Sequence, residues 1–234
     1  SRSLFPVFCL EQEEHRMRDH WLRFYPLIAF GVIPYLLLLF TISSARAGQG
    51  QEDLDRRVRS FLNGHEWHDM NVPAVDGQTL HDLILRHHYT RALEIGTSTG
   101  HSGIWMAWAL KKTGGRLLTI DIDEDRQREA LKNFEAVGLS DVIDARLGDA
   151  HQIVPALEGP FDFIFSDADK GWYKNYFDAL LPNLEVGGCY TTHNVIPNGW
   201  NGDYLKYLQS LPNLETTVDT RGGGLAISFK RSPE

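Results

Sequence analysis

The sequence predicts an α/β domain built on a doubly wound, mostly parallel sheet of seven strands with an antiparallel hairpin at one edge. Three observations carry that prediction. From Gln51 onward, short apolar runs alternate with stretches of helical apolar periodicity, the pattern left by helices that cross between parallel strands. The first apolar run, Ala92 to Ile95, drops into a turn bracketed by Gly96 and Gly100, and a helical pattern follows through Ile104, Trp105, Ala107, Trp108 and Leu110. The last two runs have little more than Arg221-Gly222-Gly223 at their junction, enough for a hairpin and too short for a crossover.

The elements follow in order. Leu54, Val58, Phe61 and Leu62 mark a first amphipathic helix, and Leu80, Leu83, Ile84 and Leu85 a second. Strand 92–95 leads to helix 102–112, strand 117–122 and helix 124–137, after which Gly138 supplies a C′ residue. Strand 142–147, a helical turn at 151–157, strand 161–166 and helix 172–181 come next. Strand 186–192, helix 203–211 and strands 214–219 and 224–230 close the chain.

Composition separates residues 1–47 from a globular domain at 48–234. With 234 residues, 42% hydrophobic and 23% charged, the chain is long and apolar enough for one domain with a sizeable core. A net charge of −8 and the lack of a basic run argue against a nucleic-acid partner. Residues 24–42 are apolar and uncharged, with Arg16, Arg18 and Arg23 before them and Ala45-Arg46-Ala47 after. Two readings fit: a secretory signal peptide cleaved after the small residues, or an uncleaved membrane anchor. The positive-inside rule places the domain across the membrane, so the expectation is an exported or membrane-anchored protein, with a cytosolic domain as the alternative. Only Cys9 and Cys189 occur, and a chain starting near Gly48 folds without an internal disulfide.

In an open α/β sheet, ligands sit beyond the carboxyl ends of the strands. Five consecutive strands deliver polar groups there: Glu94 with Gly96; Asp121; Gly148-Asp149-Ala150; Asp167-Ala168-Asp169-Lys170; and His193-Asn194. Taken singly, Asp149 and Asp167 would also serve as helix N-caps. The loop reads E-x-G-x-x-x-G and lacks the middle glycine of a dinucleotide fingerprint, which disfavours a nicotinamide-dependent oxidoreductase. Asp121 lies 25 residues after Gly96, close to the spacing of a ribose-binding acid. A ligand with a ribose and no pyrophosphate fits, and S-adenosylmethionine is one.

Several segments in order resemble the cation-dependent, class I S-adenosylmethionine O-methyltransferases, of the catechol and caffeoyl-CoA kinds. They are Met70-Asn71-Val72 with Gly77-Gln78, Glu94-Ile95-Gly96 with Gly100-His101-Ser102, and Thr119-Ile120-Asp121-Ile122. Phe163 to Lys170 with Tyr173, and Asn194-Val195-Ile196 with Gly199, complete the set. The resemblance implies a Rossmann-like methyltransferase fold and transfer of a methyl group to a hydroxyl of a small phenolic or catechol-like acceptor. It implies that Glu94, Gly96 and Ser102 hold the amino-acid end of the cofactor, that Asp121 takes the ribose, and that Asp149 and Ala150 border the adenine. Met70 and Val72 would cover the sulfonium, Asp167 and Asn194 would bind a divalent cation, and Lys170 would be the general base.

One position departs from the family pattern, which has aspartate where this chain has His193. Three readings stand. His193 is a ligand in a site that prefers manganese, zinc or iron to magnesium; or it is a base or spacer in a weakened magnesium site; or metal dependence is lost. The histidine and the export-like N-terminus also support a second function, a non-catalytic binding protein for an adenosyl ligand or small molecule. Retained Lys170 and Asp167 favour the enzyme. Trp67, Trp172 and Trp200 are candidate walls of the acceptor site, and a homodimer is left open.

Overall fold

The computed structural model describes residues 48–68 and 70–233. The chain divides into two units, Ser1–Asp53 and Leu54–Glu234. Of the first, residues 48–53 are described and are helical. The apolar segment at 24–42 and the small-residue motif after it lie outside the described residues, and with them both readings of the N-terminus. No helix among the described residues is long and apolar enough to cross a membrane.

The second unit opens with α1 (helical residues 54–64). It continues through α2 (Ala74–His87), β1 (Arg91–Ile95), α3 (His101–Thr113), β2 (Arg116–Asp121), α4 (Glu124–Val137) and β3 (Ile143–Leu147). Then come α5 (Ala150–Ile153), β4 (Phe161–Ser166), α6 (Tyr173–Leu180), β5 (Leu184–His193), α7 (Gly202–Ser210), β6 (Leu214–Asp219) and β7 (Leu225–Lys230). The sheet has seven strands in the order β3-β2-β1-β4-β5-β7-β6. Strands β1 to β5 pair in parallel. β7 runs antiparallel to both β5 and β6. The expected fold class is therefore the observed one, with the hairpin folded inward so that its second strand lies between β5 and β6.

Most element ends fall within a residue or two of the sequence reading. β5 starts earlier, at Leu184 instead of 186, because its register shifts: Phe161 pairs with Leu184 while Phe163 pairs with Cys189. The extra residues include Gly187 at φ +86° and Gly188, and a glycine bulge of this kind resembles a strand boundary when read from sequence.

Alternation along the strands sends side chains to two cores. Ala92, Phe163 and Phe165 pack under α1, α2, α3 and α4, where Leu80, Ile84, Trp108 and Phe134 are buried. Leu93, Ile95 and Ile164 pack on the opposite face under α6 and α7, with Tyr173, Phe177 and Leu208. Order reverses at β1, whose neighbours are β2 and β4. The crevice at this switch point is where such sheets bind ligands.

The opposite end of β1 is pinned by one acid. Asp162 accepts from the Thr90 and Arg91 amides at 2.7 and 2.8 Å and from the Thr90 hydroxyl at 3.0 Å. Asp162→Ala leaves both amides without that partner. It should lower unfolding stability by about 2–4 kcal/mol, measured by urea denaturation; a loss within error would show that water replaces the carboxylate at no cost.

Candidate active site

Three hydrogen bonds extend the ladder past the strand ends and fix where the loops leave the sheet. The Gly96 amide donates to the Ile120 carbonyl at 2.9 Å, Asp167 to Ile95 at 2.8 Å, and Gly148 to Asp121 at 2.8 Å. Gly96 has φ +103°, and a Cβ there would lie 2.6 Å from the Asp167 carbonyl oxygen. Only glycine allows the β1 loop to lie this close to β4.

Above these ends lies a cavity of about 820 Å³, within the range that holds a cofactor-sized ligand. Gly96, Ser98 and Ser102 form its floor beside β1. Asp121, Asp149 and Ala150 line the β2–β3 flank, with Ile122 and Arg126. Asp167, Lys170, His193 and Asn194 line the β4–β5 flank. Met70 and Val72 border the mouth, Val72 buried and Met70 67% exposed. Every cofactor, metal and base residue expected from sequence except Glu94 therefore meets this one cavity.

Glu94 sits beneath it, fully buried, and does not line it. Its two oxygens accept from Ser102 Oγ at 2.5 Å and Thr119 Oγ1 at 2.6 Å. Burial pushes its carboxyl up to about 8, and the two hydroxyl bonds offset only part of that rise. Glu94 thus orients Ser102 from below. Asp121 does face the cavity, and each of its oxygens takes one backbone amide: Ser98 at 2.7 Å and Asp123 at 2.8 Å. Asp149 is both a cavity residue and an N-cap, accepting from the His151 amide at 2.9 Å. Asp167 caps no helix; Asp169 takes that role, accepting from the Gly171 amide at 2.9 Å.

Asp167 instead joins a cluster that periodicity does not reveal. Its Oδ2 lies 3.0 Å from His193 Nδ1, while His193 Nε2 lies 3.0 Å from Oδ2 of Asp76 on α2. Asp76 is completely buried, and its Oδ2 also accepts from the Gly223 amide at 2.7 Å. Lys170 Nζ is 3.7 Å and Tyr173 Oη 3.4 Å from Asp167 Oδ1. Burial alone would lower the His193 imidazole, but the bonds from Asp167 and Asp76 outweigh it and hold the ring up to about 9. Asp76 was the missed residue. Its signal was an acid at 76 in phase with Leu80, Leu83 and Ile84, on the core face of its helix.

This arrangement does not fit a divalent cation. Both ring nitrogens of His193 are directed at carboxylates, and the two carboxylates lie at opposite edges of the ring. Among the described residues, no three His, Cys, Asp or Glu side chains are placed to hold a metal ion. Asn194 has a conformational reason for its identity, with φ +55°, a left-handed position that asparagine tolerates. Of the tryptophans, Trp200 lines the cavity. Trp67 packs on His101 at 4.6 Å and Trp172 stacks on His151 at 3.8 Å, and neither lines it.

Residues 44–212 match the O-methyltransferase family, and the chain belongs to that family. It is 35% identical over 155 residues to caffeoyl-CoA O-methyltransferase 1 of Eucalyptus globulus, covering 64% of this chain and 61% of that protein. It is 43% identical over 111 residues to the catechol O-methyltransferase of Niastella koreensis, covering 46% of this chain and 50% of that one. The chain thus spans less than two thirds of the length of these relatives. Among solved structures it resembles the O-methyltransferase from Bacillus cereus in complex with SAH, at 27% identity and a TM-score of 0.64, over 77% of this chain and 91% of that one.

Glu94 carries a prediction about stability and pH. A folded carboxyl raised from 4.5 to about 8 stabilises the fold fully below the lower value, and that contribution is lost as pH rises to the upper one. Glu94→Gln cannot ionise, so its stability relative to the parent should rise across this window by on the order of a few kcal/mol and then level off. Urea unfolding of both proteins at several pH values checks this; parallel pH profiles would show that Glu94 keeps its charge in the fold.

Proposed function

We propose that the chain is an S-adenosylmethionine-dependent O-methyltransferase acting on a hydroxyl of a small phenolic acceptor. The observation that carries the proposal is Asp121 at the end of β2. Its two oxygens, each holding one backbone amide, keep lone pairs free toward the cavity for two vicinal ribose hydroxyls. Ile122 beside it is 70% exposed and lines the same flank, an apolar face suited to an adenine ring. Ser102, oriented by Glu94, and the amides around Gly96 suit the amino-acid end. The family, and the SAH complex of its relative from Bacillus cereus, support the same ligand.

When bound, S-adenosylmethionine supplies a methyl group on a sulfonium, and transfer is an in-line displacement in which sulfur keeps the bonding electrons. The residues must hold the acceptor oxygen on that axis and receive its proton. Lys170, 38% exposed at its side chain, stands on the β4–β5 flank with Asp167 Oδ1 at 3.7 Å. Its Nζ takes the hydroxyl proton as the oxygen attacks, and Asp167 orients the ammonium so formed. Alignment between the two flanks supplies most of the acceleration, where ~7–11 kcal/mol is available in favourable cases.

Two substitutions separate binding from chemistry. Asp121→Ala should weaken S-adenosylhomocysteine at least about tenfold in a calorimetric titration, since hydrogen bonds to a charged group contribute ~1.5–3 kcal/mol each. Parental affinity in the variant, or tighter binding of NAD by the parent, would remove the cofactor assignment. Lys170→Met should cut turnover by roughly 10²–10⁴-fold with cofactor affinity nearly unchanged. Turnover near the parental rate would place the base elsewhere.

A further inference from the structure

We infer that this protein transfers its methyl group without a divalent cation, because His193 occupies the place between the carboxylates, and that its acceptor accordingly needs one hydroxyl instead of an adjacent pair. The inference rests on the methyltransferase reading above and deepens it.

Hydrogen-bond accounting carries the first half. Oδ2 of Asp167 and Oδ2 of Asp76 lie 3.0 Å from the two ring nitrogens of one imidazole. Asp76 Oδ2 also accepts from the Gly223 amide, and its Oδ1 is buried with no hydrogen-bond partner among the described residues. Each ring nitrogen is thus engaged by a carboxylate oxygen, whichever partner of each pair carries the proton. A ring engaged at both nitrogens in this way presents neither of them to a metal.

Sterics hold the ring in that role. His193 is 4% exposed. A Cβ at Gly223 would lie 2.6 Å from its Nε2, and one at Gly222 would lie 2.2 Å from Asp76 Oδ1. The β6–β7 loop therefore covers Asp76 and the Nε2 edge of the ring with backbone alone. The fully buried Asp76 is partnered from within the chain, by His193 and the Gly223 amide.

The acceptor requirement follows from what a cation does. A bound metal that coordinates two oxygens rewards a vicinal diol by fixing both. Without it, the β4–β5 flank offers Lys170 as a proton acceptor beside one carboxylate oxygen, Asp167 Oδ1. A phenol with a single hydroxyl meets both.

The test uses the full chain, stripped with chelator and saturated with S-adenosylhomocysteine, titrated with manganese and followed by electron paramagnetic resonance. The parent should bind no manganese at millimolar concentration. His193→Asp, which adds a carboxylate and removes the internal cation, should bind it at least about tenfold more tightly. In turnover assays the parent should be insensitive to chelator and should methylate a monophenol within a few-fold of the matching catechol. One manganese bound per parent chain at submillimolar affinity, or turnover lost in chelator and restored by metal, would overturn the inference. So would a strict requirement for the vicinal diol. If His193→Asp does not fold, the parent titration decides alone. If the parent binds S-adenosylhomocysteine but methylates no acceptor, the functional reading fails while the manganese result still decides the metal question.

Discussion

A buried carboxylate, Asp76, and a partly exposed one, Asp167, converge on one imidazole, and the mouth of the site is built around that fact. Asp76 belongs to α2, Asp167 follows β4, and His193 ends β5; the Gly223 amide brings in the β6–β7 loop. Four segments distant in sequence thus meet at a single charge cluster. Breaking such a buried pair costs far more than a surface pair, about 3–5 kcal/mol against less than ~1, because the remaining partner is left charged and dry. The cluster also sets the helix that follows the cavity rim. Just before α2, Val72 is buried at the mouth, and Asn71 accepts from Thr99 Oγ1 of the β1 loop at 3.0 Å. Fixing α2 at Asp76 therefore also fixes where the rim meets the glycine loop.

Acids at neighbouring strand ends perform different work because their surroundings differ. Glu94 is sealed under the floor, and burial favours its neutral form. Asp121 is one strand away, exchanges two amide bonds and faces the cavity. Asp149 spends one oxygen on the first turn of α5. Asp167 is the acid that touches another titratable side chain on each of its oxygens, His193 on one and Lys170 on the other. The same residue type is thus a positioning group, a ligand acceptor, a cap and a hub, and only depth and partners distinguish them.

Much of this was legible in the sequence, for physical reasons that also explain what was not. Alternation of apolar periods identified all seven strands, because each strand buries one or both faces and each crossover helix has its own period. The position of β7 between β5 and β6 was not legible: strand order depends on long-range pairing, and a short glycine connection specifies only that β6 and β7 are neighbours. The start of β5 was hidden by Gly187 and Gly188, which form a bulge and not a terminus. At the site, Asp121, Lys170 and His193 could be found because strand ends are predictable places. Glu94 could be located but not its depth, since the sequence does not say that Ser102 and Thr119 close over it. Asp76 escaped because a helix acid is ordinarily a solvated one, and its phase with Leu80 and Ile84 carries meaning only once a buried cation is placed opposite.

That coupling also explains why His193 cannot be understood as one exchanged residue. An aspartate at 193 would stand beside Asp76 and Asp167 as a third carboxylate, with Lys170, 3.7 Å from Asp167, as the nearby cationic side chain. A histidine there balances the pair by itself, but only if an acid faces its far nitrogen and if nothing larger than glycine crosses above it. Asp76 meets the first condition at 3.0 Å. Gly223 meets the second, since a Cβ in its place would lie 2.6 Å from the ring. Positions 76, 193 and 223 therefore form one unit, in which the effect of changing any member depends on the other two. The electrostatic problem at the end of β5 has two stable solutions, an external cation among oxygens or an internal imidazolium between them. The geometry of this chain is that of the second.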